Sequence, residues 1–145
     1  MAYEVFQAGC IADSCVVSGE GDQITGGIAG LASGGSFEYC VNKARIKSDT
    51  TIGGIAGGAI GTTFKGCVNE GTLVTGVDRN DYANAGGIVG LVIQGIIDDC
   101  ENKAEINIDA QCIAGICSGL QSGEIKNCKN TGDITGYEFR RQSPR

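Results

Sequence analysis

Hydrophobic and polar positions along this chain recur in one fixed order. A glycine box comes first: Gly26-Gly27-Ile28-Ala29-Gly30, Gly53-Gly54-Ile55-Ala56-Gly57, Gly86-Gly87-Ile88-Val89-Gly90 and the weaker Ala114-Gly115-Ile116-Cys117-Ser118. Fourteen residues after the start of each box comes a cysteine: Cys40, Cys67, Cys100 and Cys128. A bulky apolar residue sits three before each cysteine (Phe37, Phe64, Ile97, Ile125) and an asparagine two after it (Asn42, Asn69, Asn102, Asn130). Four after comes a small residue (Ala44, Gly71, Ala104, Gly132), and six after a further apolar one (Ile46, Leu73, Ile106, Ile134). With Cys15, the cysteines stand 25, 27, 33 and 28 residues apart. Self-similarity at such a period marks a stacked-repeat architecture.

The pattern predicts strands, not helices. Apolar residues recur at twos and threes broken by glycine, without sustained 3-4 spacing. Glycine in a helix interior costs about 1 kcal/mol relative to alanine, and the boxes are dense in it. Short strands with tight glycine corners fit the same residues. A unit of this length cannot bury its own face, so the copies must stack. The expected fold is all-β, a parallel β-solenoid of about five coils of roughly 25–33 residues. Residues 1–136 form one repeat domain, with 1–23 a degenerate first coil or truncated cap, and 137–145 a tail that matches no repeat position. In the first coil, alignment on Cys15 puts Val17 at the asparagine position.

In such a stack matched residues superpose. Cys15, Cys40, Cys67, Cys100 and Cys128 form an inward column, and Asn42, Asn69, Asn102 and Asn130 a turn ladder in which each amide bonds the next. The box glycines are expected to supply positive φ and close passage beside the neighbouring coil.

Composition adds constraints. The 145 residues suffice for one ordinary domain, and 41% are apolar, with no Trp, four Phe and four Tyr. The core is therefore thin and made of small groups. The 25 glycines compare with roughly ten at average usage. A net charge of −6 argues against nucleic-acid binding, which needs clustered Lys and Arg. The start Met1-Ala2-Tyr3-Glu4-Val5 carries no secretory leader pattern. The uncharged stretches are shorter than the ~20 residues of a spanning helix and are broken by glycine, so no membrane insertion is expected.

The sequence Gly-Gly-Ile-x-Gly followed by Ile-x-x-Cys-x-Asn-x-Gly-x-Ile resembles the GLUG repeat of bacterial surface and secreted proteins, over roughly residues 24 to 136. That repeat occurs beside immunoglobulin-A-cleaving zinc metallopeptidases and in adhesin-like proteins. The resemblance implies a β-solenoid module with an extracellular or cell-surface location. It does not imply peptidase activity, since the zinc ligands belong to another domain and this chain has no histidine.

Candidate chemistry is sparse. Eight cysteines are present. Those locked to the repeat are expected to be buried free thiols, because parallel Cβ vectors one coil apart exceed the ~3.8 Å a disulfide prefers. Cys10, Cys112 and Cys117 lie off the column. Cys112 aligns with Ile24 and Thr51, and Cys117 with Ala29 and Ala56, so both are expected to be core substitutions; a Cys112–Cys117 bridge is the alternative. No Cys-x-x-Cys and no histidine supports a metal site, and no cofactor is expected. Asp98-Asp99 falls where other copies carry variable polar pairs and is expected to be a solvated corner. Serines lack a partner base, and no phosphate-loop motif occurs.

The third connection is about six residues longer than its neighbours. Insertions in repeat proteins map to loops on one face. Asp78, Arg79, Asn80, Asp81 and Tyr82 are therefore the candidate interaction loop. The expected role is a non-catalytic structural or adhesive module that spaces or presents partners, protein or glycan. A small carbohydrate-active β-helix enzyme is the alternative, and an ice-binding solenoid a lesser one. Open end coils could support self-association.

Overall fold

A computed structural model of the chain describes residues 5–8, 11–12, 16–19, 24–48, 50–75, 84–108 and 112–136. Among the described residues every regular element is a strand, and every pairing between strands is parallel. The chain winds as a β-solenoid whose coil has four faces.

A narrow face carries Thr25–Gly26, Ile52–Gly53, Asn84–Gly86 and Cys112–Ala114 in successive coils. The long face follows. In the second and third coils it is broken in two, Ala29–Ser33 with Gly35–Glu38 and Ala56–Ile60 with Thr63–Lys65. In the last two coils it runs through as single ten-residue strands, Val89–Asp98 and Cys117–Lys126. The asparagine face holds Val41–Asn42, Val68–Asn69, Glu101–Asn102 and Lys129–Asn130. The fourth face holds Arg45–Ser48, Leu73–Thr75, Ile106–Ile108 and Ile134–Gly136. Val5–Ala8, Ile11–Ala12 and Val16–Gly19 stack beneath these as the first coil.

Register follows the repeat. Phe64 pairs with Phe37 on one side and Ile97 on the other, and Ile97 pairs with Ile125. Leu73 lies between Ile46 and Ile106, and Ile106 beside Ile134. These columns make two buried clusters. One joins the phenylalanines, cysteines and box isoleucines; the other joins Ile46, Ile52, Leu73, Ala85, Ile106 and Ile108. The rings of Phe37 and Phe64 stack with centroids 5.1 Å apart and planes 6° from parallel. The inward columns surface at the last coil, where Ile125 and Ile134 are exposed.

The box glycines act through proximity alone. A Cβ on Gly54 would sit 2.2 Å from the carbonyl oxygen of Gly87 and 2.4 Å from the Asn69 side chain. Neighbouring boxes also bond directly, with Ile28 N donating to Ile55 O at 2.9 Å and Ile55 N to Ile88 O at 2.9 Å. The expectation of positive φ in the boxes is not met. Among the described residues the glycines with positive φ are Gly34, Gly35, Gly61 and Gly66, all outside them.

The first coil also departs from expectation. Ile11 pairs with Val41 and Ala12 with Asn42, whereas Val17 pairs with Ile46. Ala12 therefore occupies the asparagine position, and Val17 belongs to the apolar fourth-face column. The offset between the first two coils is 30 residues on the asparagine face and 29 on the fourth face, where aligning Cys15 with Cys40 assumes 25. Cys10 and Cys15 lie outside the described residues, as do Asp78, Arg79, Asn80, Asp81 and Tyr82 of the candidate loop.

Candidate functional site

The asparagine ladder is continuous from the second coil to the fifth. Asn42 Nδ2 donates to Asn69 Oδ1 at 2.8 Å, Asn69 Nδ2 to Asn102 Oδ1 at 2.8 Å, and Asn102 Nδ2 to Asn130 Oδ1 at 2.7 Å. Each amide also closes its own turn. Asn42 Nδ2 donates to Ala44 O at 3.0 Å, and Ala44 N donates back to Asn42 Oδ1 at 3.1 Å. Asn42, Asn69 and Asn102 are buried, so the ladder satisfies polar groups that would otherwise be stranded in the interior. The small residue two positions on is dictated by the same turn. A Cβ on Gly71 would fall 1.9 Å from the Ala44 carbonyl oxygen.

Beside it runs the thiol column. Cys40, Cys67 and Cys100 are buried and Cys128 half-buried, and all four are unbridged. Cys67 N donates to Cys100 Sγ at 3.4 Å, and the Cys67 thiol to Phe37 O at 3.4 Å. Hydrogen bonding with Cys67, together with burial, pushes the Cys100 thiol far above its ordinary pKa. Burial raises Cys128 as well. Cys67 moves the other way, its thiol lowered by the hydrogen bond with Cys100, so it is Cys100 and Cys128 that are held protonated.

Cys112 and Cys117 are also unbridged. Cys117 packs against the main core in line with Val89 and Ala56, as a core substitution should. Cys112 does not: it is exposed. Its column is an outward one, since it pairs with Asn84 while the next residue, Ile113, turns in against the second core cluster.

The polar pairs preceding each cysteine hold more order than the sequence predicts. Glu38, Lys65, Asp98 and Lys126 stack in register, so charge alternates from coil to coil. Like charges directly opposite one another on a sheet destabilise it, so this alternation favours the native order of coils. Asp98 also accepts a bond from Asn127 Nδ2 at 3.1 Å. Among the described residues, no group of three or more His, Cys, Asp or Glu side chains stands close enough to hold a metal ion.

Two columns of left-handed backbone bend the long face. One precedes the cysteines: Tyr39, Gly66, Asp99 and Asn127 have φ of 55°, 63°, 55° and 55°. The other lies mid-face: Gly34, Gly61, Gln94 and Ser122 have φ of 73°, 61°, 56° and 57°. The mid-face bend opens an external crease of about 400 Å³, lined by Gly61, Thr62, Thr63, Gln94, Gly95, Ile96, Ser122 and Gly123. Its floor is glycine by necessity. A Cβ on Gly95 would stand 2.6 Å from Thr62 O, and one on Gly123 2.2 Å from Gly95 O. None of the lining side chains is charged. The crease was not foreseen from the sequence, because the residues at its bend share a conformation but no identity.

A family model, the GLUG motif, matches residues 109–135. No curated protein and no solved structure matches the chain.

Proposed function

We propose that this chain, with the GLUG motif at residues 109–135, is a non-catalytic repeat module of a surface or secreted protein. It acts as a stiff spacer that presents partners along its length. The observation that carries this reading is the unbroken amide ladder from Asn42 to Asn130, which ties four coils through bonds of 2.7–2.8 Å, the first two of them buried. A rod secured in this way resists bending between coils, since any splay strands buried donors and acceptors. Among the described residues, Glu38, Lys65, Asp98 and Lys126 spread along one outer column of alternating charge, unlike the converging acid–base pair that hydrolysis needs.

Two measurements test it. Donor and acceptor dyes at either end should report one narrow distance distribution; a broad one removes the spacer role. Incubation with neutral and acidic polysaccharides should release no new reducing ends. Turnover above that of a heat-denatured control would make the module an enzyme.

A further inference from the structure

We infer that the mid-face crease of the third to fifth coils is a binding site for an uncharged, extended oligosaccharide. This gives the presenting module proposed above a ligand class, and to that extent rests on it.

The first observation is conformational. At the bend, the second and third coils use glycine, for which positive φ is unstrained. The fourth and fifth coils place Gln94 and Ser122 in the same left-handed region, where a side chain is disfavoured. Backbone strain of this kind persists where the side chain serves something other than the fold. Neither side chain returns a bond to the fold: Gln94 and Ser122 make no side-chain hydrogen bond to any described residue, and both are exposed. They lie between the paired positions Ile93–Gln121 and Gly95–Gly123, so they stand in line along the solenoid axis, about 4.8 Å apart.

The second observation is the cavity itself. Its volume of about 400 Å³ falls within the range of small-ligand sites. Its glycine floor is fixed by contact between coils, so the concavity is preformed and needs no rearrangement.

Chemistry selects the ligand. The crease offers an amide and hydroxyls, groups that both donate and accept, beside the exposed methyl surface of Ile96. Sugar hydroxyls and ring C–H faces match that combination. An anionic ligand would require Lys or Arg in the lining, and there is none. A peptide adding as a strand would need a free sheet edge. The strand Val89–Asp98 is paired on both sides across the crease, and among the described residues the open edge next to it is that of Cys117–Lys126, where an added strand would extend the stack and not fill the crease.

The test uses the whole chain. Cellohexaose, xylohexaose, mannohexaose and chitohexaose are immobilised beside polygalacturonate oligomers and an unrelated extended peptide, and hits are titrated by calorimetry. At least one uncharged hexasaccharide should bind. Gln94→Gly, Ser122→Gly and the double variant should melt at or above the parent temperature, because glycine relieves the bend. The double variant should nonetheless bind on the order of tenfold more weakly, the scale of one or two lost hydrogen bonds. Gln94→Ala with Ser122→Ala should lose the same affinity without adding glycine, confirming that the side chains and not the backbone are read.

The inference is overturned by any of three results: no uncharged oligosaccharide binds, the variants bind as well as the parent, or the acidic oligomer or peptide is preferred. A clear fall in melting temperature in the glycine variants would also overturn it, by showing that the bend side chains serve the fold. Absent binding would leave the spacer reading intact. Release of shortened products would count against that reading while leaving the crease occupied.

Discussion

Asn69 Nδ2 reaches Asn102 Oδ1 at 2.8 Å, a bond between residues 33 apart in sequence and one coil apart in space. Asn69 simultaneously accepts from Asn42 Nδ2 and from Gly71 N. Asn69→Ala would leave a buried donor on each of Asn42 and Gly71, and a buried acceptor on Asn102, with one partner fewer. Unsatisfied buried groups cost about 1–3 kcal/mol each, so the expected loss is about 3 kcal/mol or more. Asn130 is exposed and makes one ladder bond; Asn130→Ala should cost about 1 kcal/mol. Chemical denaturation of both variants checks the ratio, and equal losses would mean the ladder adds nothing beyond local turn closure.

Gly54 in its box and Gly58 just after that box separate close approach from mere small size. Gly54→Ala would drive a Cβ to 2.2 Å from the backbone oxygen of Gly87, and backbone in a stacked coil cannot yield cheaply. Gly58→Ala meets nothing closer than Leu31 Cδ1, at 3.2 Å, the tip of a flexible side chain. Gly54→Ala should fail to accumulate as folded protein, while Gly58→Ala should stay within about 1 kcal/mol of the parent. Soluble yield and a thermal melt decide this, and tolerance of both would refute coil contact as the reason for the boxes.

Phe64 fills the centre of the long-face column, stacked on Phe37 and paired with Ile97. Phe64→Ala should cost about 3–5 kcal/mol through the lost area and the cavity. Phe64→Ile places the residue that the next coil already uses at this position, and should cost about 1–2 kcal/mol, mainly the ring stack and some volume. If both variants destabilise equally, the column is not a shared slot, and the equivalence of coils fails at its best-packed position.

What could be read ahead of the structure divides along the same physical line. The Asn42–Asn130 ladder, the cysteine column from Cys40 to Cys128 and the Phe37–Phe64–Ile97 column were legible because stacking demands like residues at like positions; the fifth predicted member, Cys15, lies outside the described residues. The charge alternation of Glu38, Lys65, Asp98 and Lys126 was hidden, since it is a relation between coils and looks like random variation within one. The crease was hidden more deeply. Gly34, Gly61, Gln94 and Ser122 share only a left-handed φ, imposed by strand register and not by residue type. Cys112 shows a further limit: its column was assigned correctly from the repeat, but the repeat does not say which side of the sheet that column faces.

Cys117 tests the thiol chemistry. Its column carries Ala29 and Ala56 in earlier coils, so Cys117→Ala introduces a side chain the fold already accommodates. The variant loses one thiol bond, from Sγ to Gly119 O at 3.0 Å, and at neutral pH should cost under about 1 kcal/mol. Burial raises the folded-state pKa of Cys117 above its ordinary value. The unfolded chain then ionises first as pH rises, so above about pH 9 it binds fewer protons than the folded one. The stabilisation linked to this thiol is thus complete below the unfolded pKa and declines through the folded one. Alanine has no proton to lose and escapes that decline. In reductant, the gap between the melting temperatures of parent and Cys117→Ala should narrow between pH 7.5 and pH 10. A constant or widening gap would show that burial does not hold this thiol neutral.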